Sequence, residues 1–143
     1  MKTIALRYSN NFAPDVGTII AHQELLSAVG YVWYGKLGSP ISYSVQDDIL
    51  RNEKPKILLI HSGEIDRYWA YIDKIQREAP PLDEIPSYYR YKNEKFHTWF
   101  RVIKFETAPL DILSRCFVAS SGATLSNASR HSMSPYFIIK YDE

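Results

Sequence analysis

Four histidines, one cysteine and a group of aromatic residues interleaved with cations are the side chains of this 143-residue sequence whose types could do chemistry. His22, His61, His97 and His131 are scattered, with no His-x-x-x-His helical pair and no carboxylate at metal-ligand spacing, so no metal centre is expected. Cys116 sits between Arg115 and the apolar pair Phe117-Val118 in an expected strand. A buried structural thiol is therefore expected there rather than a nucleophile. A lone cysteine also excludes an internal disulfide and every Cys-pair zinc pattern within the chain. No Gly-x-Ser-x-Gly, phosphate-binding loop or dinucleotide fingerprint occurs, and the spacing of Glu24, Asp47, Asp48, Glu53, Asp66 and Asp73 defines no acid/base pair. The expectation is a binding protein without cofactor, not an enzyme.

The aromatics say more. Trp33 stands at the end of a β-prone run beside Gly35 and Gly38, where a large ring is expected at a pocket mouth, able to stack a flat ligand. A second wall is available in the proline-bearing segment Ala79–Lys95, where Tyr88, Tyr89 and Tyr91 are bracketed by Arg90, Lys92 and Lys95. Rings stack nucleobases at about 1–3 kcal/mol each, and Lys and Arg neutralise phosphates. The same tyrosines could equally be amphipathic packing for a loop.

A net charge of +1, from 17 Lys+Arg against 16 Asp+Glu, excludes a polycation that binds by bulk phosphate neutralisation, so any nucleic-acid contact must be local. With 45% hydrophobic and 23% charged residues the chain can bury a core, and its length fits one domain over residues 1–143. The longest apolar runs fall far short of the roughly 20 residues that span a bilayer. The first residues lack the apolar stretch of a cleaved signal, so a cytoplasmic protein with no membrane contact is expected.

The elements that must position these residues follow from pattern. Strands are predicted at Thr3–Tyr8, Gly30–Gly35, Lys56–His61, Arg67–Gln76, Phe96–Phe105 and Pro135–Tyr141, with helices at Pro14–Val29 and Ser44–Asn52 and a helical turn at Leu110–Ser114. Ser120–Ser134 reads as a polar stretch. About six strands with few helices favour an α+β fold, a small mixed β-barrel with helices packed at the rim, because closure removes exposed edges.

The succession Ala5-Leu6-Arg7-Tyr8-Ser9-Asn10-Asn11, a helix, Gly30-Tyr31-Val32-Trp33, a short helix and Ile57-Leu58-Leu59-Ile60-His61-Ser62 resembles the start of YTH domains. The likeness continues through Tyr68–Ile75, Phe96–Phe105 with Ala108-Pro109-Leu110, and Ser129-Arg130. It is shared by EVE domains and the wider PUA-like barrels. YTH domains hold N6-methyladenine in an aromatic cage, and EVE domains are linked to modified bases in DNA. Similar modules form the N-terminal specificity domains of McrB-type modification-dependent restriction proteins. The resemblance implies recognition of a modified, methylated base in nucleic acid, DNA in preference to RNA, by base flipping, within a nuclease-linked assembly of further domains or subunits.

It implies that Trp33 is a cage wall, joined by Tyr88, Tyr89 or Tyr91, and that Ser9, Asn10, Asn11 and Tyr34 meet the base edge. Lys36, Arg90, Lys92, Lys95 and Arg130 would hold flanking phosphates, and Trp69 and Trp99 would be packing. Two alternatives stay open: a small hydrolase or free nucleotide pocket of the same architecture, and a protein-interaction module presenting the loop tyrosines.

Overall fold

The computed structural model describes residues 1–8, 17–61, 66–91 and 95–142, without the side chains of Arg90 and Tyr91. Its strands are β1 (Lys2–Arg7), β2 (Val32–Leu37), β3 (Lys56–Ile60), β4 (Tyr68–Gln76), β5 (Phe96–Thr107), β6 (Cys116–Val118) and β7 (Tyr136–Tyr141). The helices are α1 (Thr18–Val29), α2 (Tyr43–Leu50), α3 (Ile112–Arg115) and α4 (Leu125–His131). One seven-stranded sheet runs β2-β5-β4-β3-β1-β7-β6. Among the named strands of the described residues only β1 and β3 pair in parallel, in the register Leu6 with Leu59, with helices in the chain between them. No helix among the described residues is long and apolar enough to cross a membrane.

Strand alternation sorts the core into two faces. Ile4 and Leu6 of β1, Ile57 and Leu59 of β3, Ala70 and Ile72 of β4, and Phe100 and Val102 of β5 form the inner cluster, capped by Ile19 and Ile49 from the helices. The intervening Ala5, Leu58, Ile60 and Trp69 pack on the opposite face against Ile112 and Leu125 of α3 and α4. This is why the Lys56–Ile60 run shows no alternation in sequence: both of its faces are buried.

The sheet curls. Register shifts between Tyr71 and Lys74 mark bulges that bend β4 against β5. The curl brings Lys36 Nζ of β2 within 5.0 Å of the Tyr136 ring of β7, although four strands separate them in the order of the sheet. The result is an incomplete barrel whose seam lies between β2 and the β1/β7 pair.

Local signals account for the helix ends. Gly30, at φ 96°, closes α1 with its N–H on the Leu26 carbonyl, as expected from the sequence. Ser42 Oγ caps α2 by accepting from Val45 N. The polar stretch Ser120–Ser134 contains α4, where the sequence showed no helical periodicity, because Leu125 alone is buried from it; Thr124 Oγ1 caps it on Asn127 N. The segment Ala79–Lys95 holds two short 3-10 turns, Leu82–Glu84 and Ser87–Tyr91. Ile85 and Tyr89 from this segment pack on Trp33, Phe96 and Trp99 in a third cluster.

Candidate functional site

Strand β2 carries the site, and its two faces have different destinies. Val32 and Tyr34 point to the inner cluster, whereas Trp33 points to the cluster beneath the Ala79–Lys95 segment. Trp33 is 3% exposed and its indole N–H donates to Glu84 Oε1 at 3.2 Å. It does not line the neighbouring cavity, so the expectation of a ring at a pocket mouth is corrected. The cause is the period of two: with Val32 inward, Tyr34 follows it and Trp33 faces away. Trp69 and Trp99 are also buried.

A cavity of about 510 Å³ opens at the barrel seam. Tyr34, Tyr88, Tyr89 and Phe96 supply rings from one side, and Leu6, Arg7 and Tyr8 close it from the other. Its size falls within the range of about 300–1,000 Å³ typical of small-ligand sites. Gly35 forms part of the wall, and only glycine fits there: a Cβ would lie 2.8 Å from Phe96 Cδ1 and 2.9 Å from Trp99 Cζ3. The close approach of backbone to ring is what lets Phe96 reach the cavity.

The tyrosines of the wall are neutral, and Tyr88 and Tyr89 are hydrogen-bonded. Burial pushes the Tyr34 phenol well above its ordinary range, with the nearby Tyr88 and Tyr8 phenols adding to the effect. Burial raises Tyr89 likewise, opposed by a hydrogen bond to the Gly35 backbone. Tyr88 is raised by burial and partly relieved by hydrogen bonds with Thr18 and Tyr89. The phenols thus stay protonated at neutral pH, and their hydroxyls remain donors. Behind them His22 is fully buried, its ring centroid 4.9 Å from Tyr34 and 5.2 Å from Tyr89. Its Nδ1 donates to the Thr18 carbonyl at 2.8 Å, and burial lowers its pKa to about 4.

Three cations stand on the cavity wall, Arg7, Lys36 and Lys95, and the two lysines differ in state. Lys95 is exposed. Lys36, expected as a surface phosphate contact, is 5% exposed, and its ammonium donates to the carbonyls of Leu37 and Ser39 at 3.1 and 3.0 Å. Burial lowers its pKa. Lys36 lines the cavity, so a phosphate held in the cavity would be within its neighbourhood. Arg130 lies apart on α4, beside a second cleft. Ser9, Asn10, Asn11 and Lys92, and the side chains of Arg90 and Tyr91, lie outside the described residues.

A family model described as Pua-like matches residues 4–139. The chain belongs to the PUA-like family. Searches of curated proteins and of solved structures return no match. The mixed, curled sheet is consistent with the PUA-like fold that the sequence resemblance implied.

Of the expected site residues, the PUA-like barrel brings Tyr34, Tyr88, Tyr89, Lys36 and Lys95 to one cavity. Sequence reasoning missed Tyr8, Thr18, Phe96 and Arg7 as walls. Alternation along β2 was the available signal for Tyr34; the others meet only through the curl. Among the described residues no group of three or more His, Cys, Asp and Glu could hold a metal ion. Cys116 is buried, and burial raises its thiol to about 11, far from a thiolate nucleophile at neutral pH.

Proposed function

We propose that this PUA-like domain is a non-catalytic nucleic-acid-binding module that recognises a modified base, turned out of its stack into the seam cavity. The observation that supports the reading is a cavity walled by neutral tyrosines with cations on the same wall. Tyr34 and Tyr88 take the place that sequence reasoning gave Trp33. Extruding a base costs a few kcal/mol. Two stacking rings at about 1–3 kcal/mol each, with hydroxyl donors at the base edge, are enough to offset that cost.

Methylation of a base amine adds an apolar group, and burying one carbon of that kind contributes about 0.8 kcal/mol, roughly a fourfold preference. DNA is the preferred strand, and a role as a specificity module of a modification-dependent restriction system is the place that the sequence resemblance offers. Fluorescence anisotropy with methylated and unmodified single-stranded DNA and RNA oligonucleotides tests the reading. Methylated DNA should bind best, and Tyr88→Ala, at a half-buried position, should weaken it by about 1–3 kcal/mol with the fold intact by circular dichroism. Equal affinity for methylated and unmodified strands would reject modified-base recognition.

A further inference from the structure

We propose that the cleft on the far side of Arg7 is a second site, which takes a phosphate group, and that a phosphodiester of the bound strand occupies it. The cleft has a volume of about 420 Å³ and is lined by Arg7, Arg67 and Arg130, together with His61. None of its described lining residues is acidic. Arg7 ends β1, Arg67 immediately precedes β4 and Arg130 belongs to α4, so the fold itself draws these cations together from distant parts of the chain. Like charges gathered in one place repel one another, and an anion relieves that repulsion.

Two of the three side chains are already held in place. Arg7 donates from Nε to Ser134 O at 2.9 Å and from one terminal nitrogen to Ser129 O and Ser132 O, both at 2.8 Å. Arg130 Nε donates to Ser126 O at 3.2 Å. Arg67 differs: its Nε is buried and has no hydrogen-bond partner among the described residues. A buried donor left unpaired is unfavourable, and of the arginine donors at the cleft this one has its hydrogen bond still to make. The planar fork of arginine matches a phosphate's oxygens, two at a time, better than a point charge does.

Arg7 lines both this cleft and the aromatic cavity. A ligand with a planar ring in one and a phosphate in the other is a nucleotide unit of a strand. Naming the anion as a strand phosphodiester rests on the nucleobase reading above, while the cleft's affinity for phosphate does not.

Calorimetric titration of the full chain with inorganic pyrophosphate, a free methylated nucleoside and a methylated oligonucleotide separates the two. In R67Q, R130Q and the double variant, pyrophosphate and oligonucleotide should bind about tenfold more weakly per lost contact, while the nucleoside binds as to the wild type. The slope of log K against log salt for the oligonucleotide should fall by about one per arginine. Arg130 is exposed, so R130Q reports on the cleft even if R67Q perturbs folding. Unchanged pyrophosphate binding and an unchanged salt slope in R130Q and the double variant would overturn the site. Pyrophosphate binding that depends on these arginines, with oligonucleotide binding that does not, would overturn the strand assignment. A wild type that binds pyrophosphate but no nucleoside would defeat the nucleobase reading and leave the anion cleft standing.

Discussion

Acidification is expected to destabilise the protein through one side chain, His22, because the folded state holds its pKa at about 4 against an ordinary 6.5. Burial is the main cause, partly offset by the Thr18 and Trp33 backbone. The ring is packed by Tyr34, Tyr88, Tyr89 and Phe105, all uncharged, so no anion stabilises an imidazolium there. Between these two pKa values the unfolded chain binds a proton that the folded one refuses, so stability is complete above about pH 6.5 and falls as pH drops towards 4. Integrated over that window the loss is about 3 kcal/mol, of which about 2.5 has occurred by about pH 4.5. Urea unfolding of wild type and His22→Gln at a series of pH values reads it directly, since glutamine cannot titrate but can still donate to Thr18. His61, His97 and His131 are half-buried or exposed, which leaves His22 as the imidazole fully removed from water. If His22→Gln loses stability over the same range as steeply as the wild type does, the assignment is wrong.

Two further substitutions separate the faces of β2. Trp33→Phe removes the bond to Glu84 and part of a buried ring, and should cost about 1–3 kcal/mol in chemical denaturation while leaving oligonucleotide affinity within about twofold; a large loss of affinity without loss of stability would return Trp33 to the site. Gly35→Ala forces Phe96 and Trp99 aside and should destabilise by about 1–3 kcal/mol and weaken base binding together, as read by thermal unfolding and anisotropy. Wild-type behaviour in both assays would contradict the packing at Gly35.

Much of the fold was legible because period-two patterns are local. β1, β3, β4, β5 and β7 lie where alternation or an unbroken apolar run places them, and Gly30 ends α1 as a left-handed cap should. The short strand expected around Cys116 is β6. What escaped was too polar: α4 buries Leu125 alone, so it carries no apolar stripe that a sequence pattern can show. The site was legible in part. Tyr34, Tyr88 and Tyr89 are among the expected residues, but Trp33 is one residue out of phase with Tyr34 and so faces the other side of β2, which its size and glycine neighbours do not reveal. The meeting of Leu6, Arg7 and Tyr8 with Tyr34 depends on the curl of the sheet, and no spacing along the chain encodes a contact across a seam.

The central claim, that the seam cavity rather than Trp33 receives a flipped base, is tested most directly by a crystal structure with a methylated single-stranded oligonucleotide. The base should lie in the seam cavity against Tyr34 and Tyr88, its methyl group on the aromatic wall, with Trp33 still bonded to Glu84. A base stacked on Trp33, or a strand bound on another surface with the cavity empty, would contradict it.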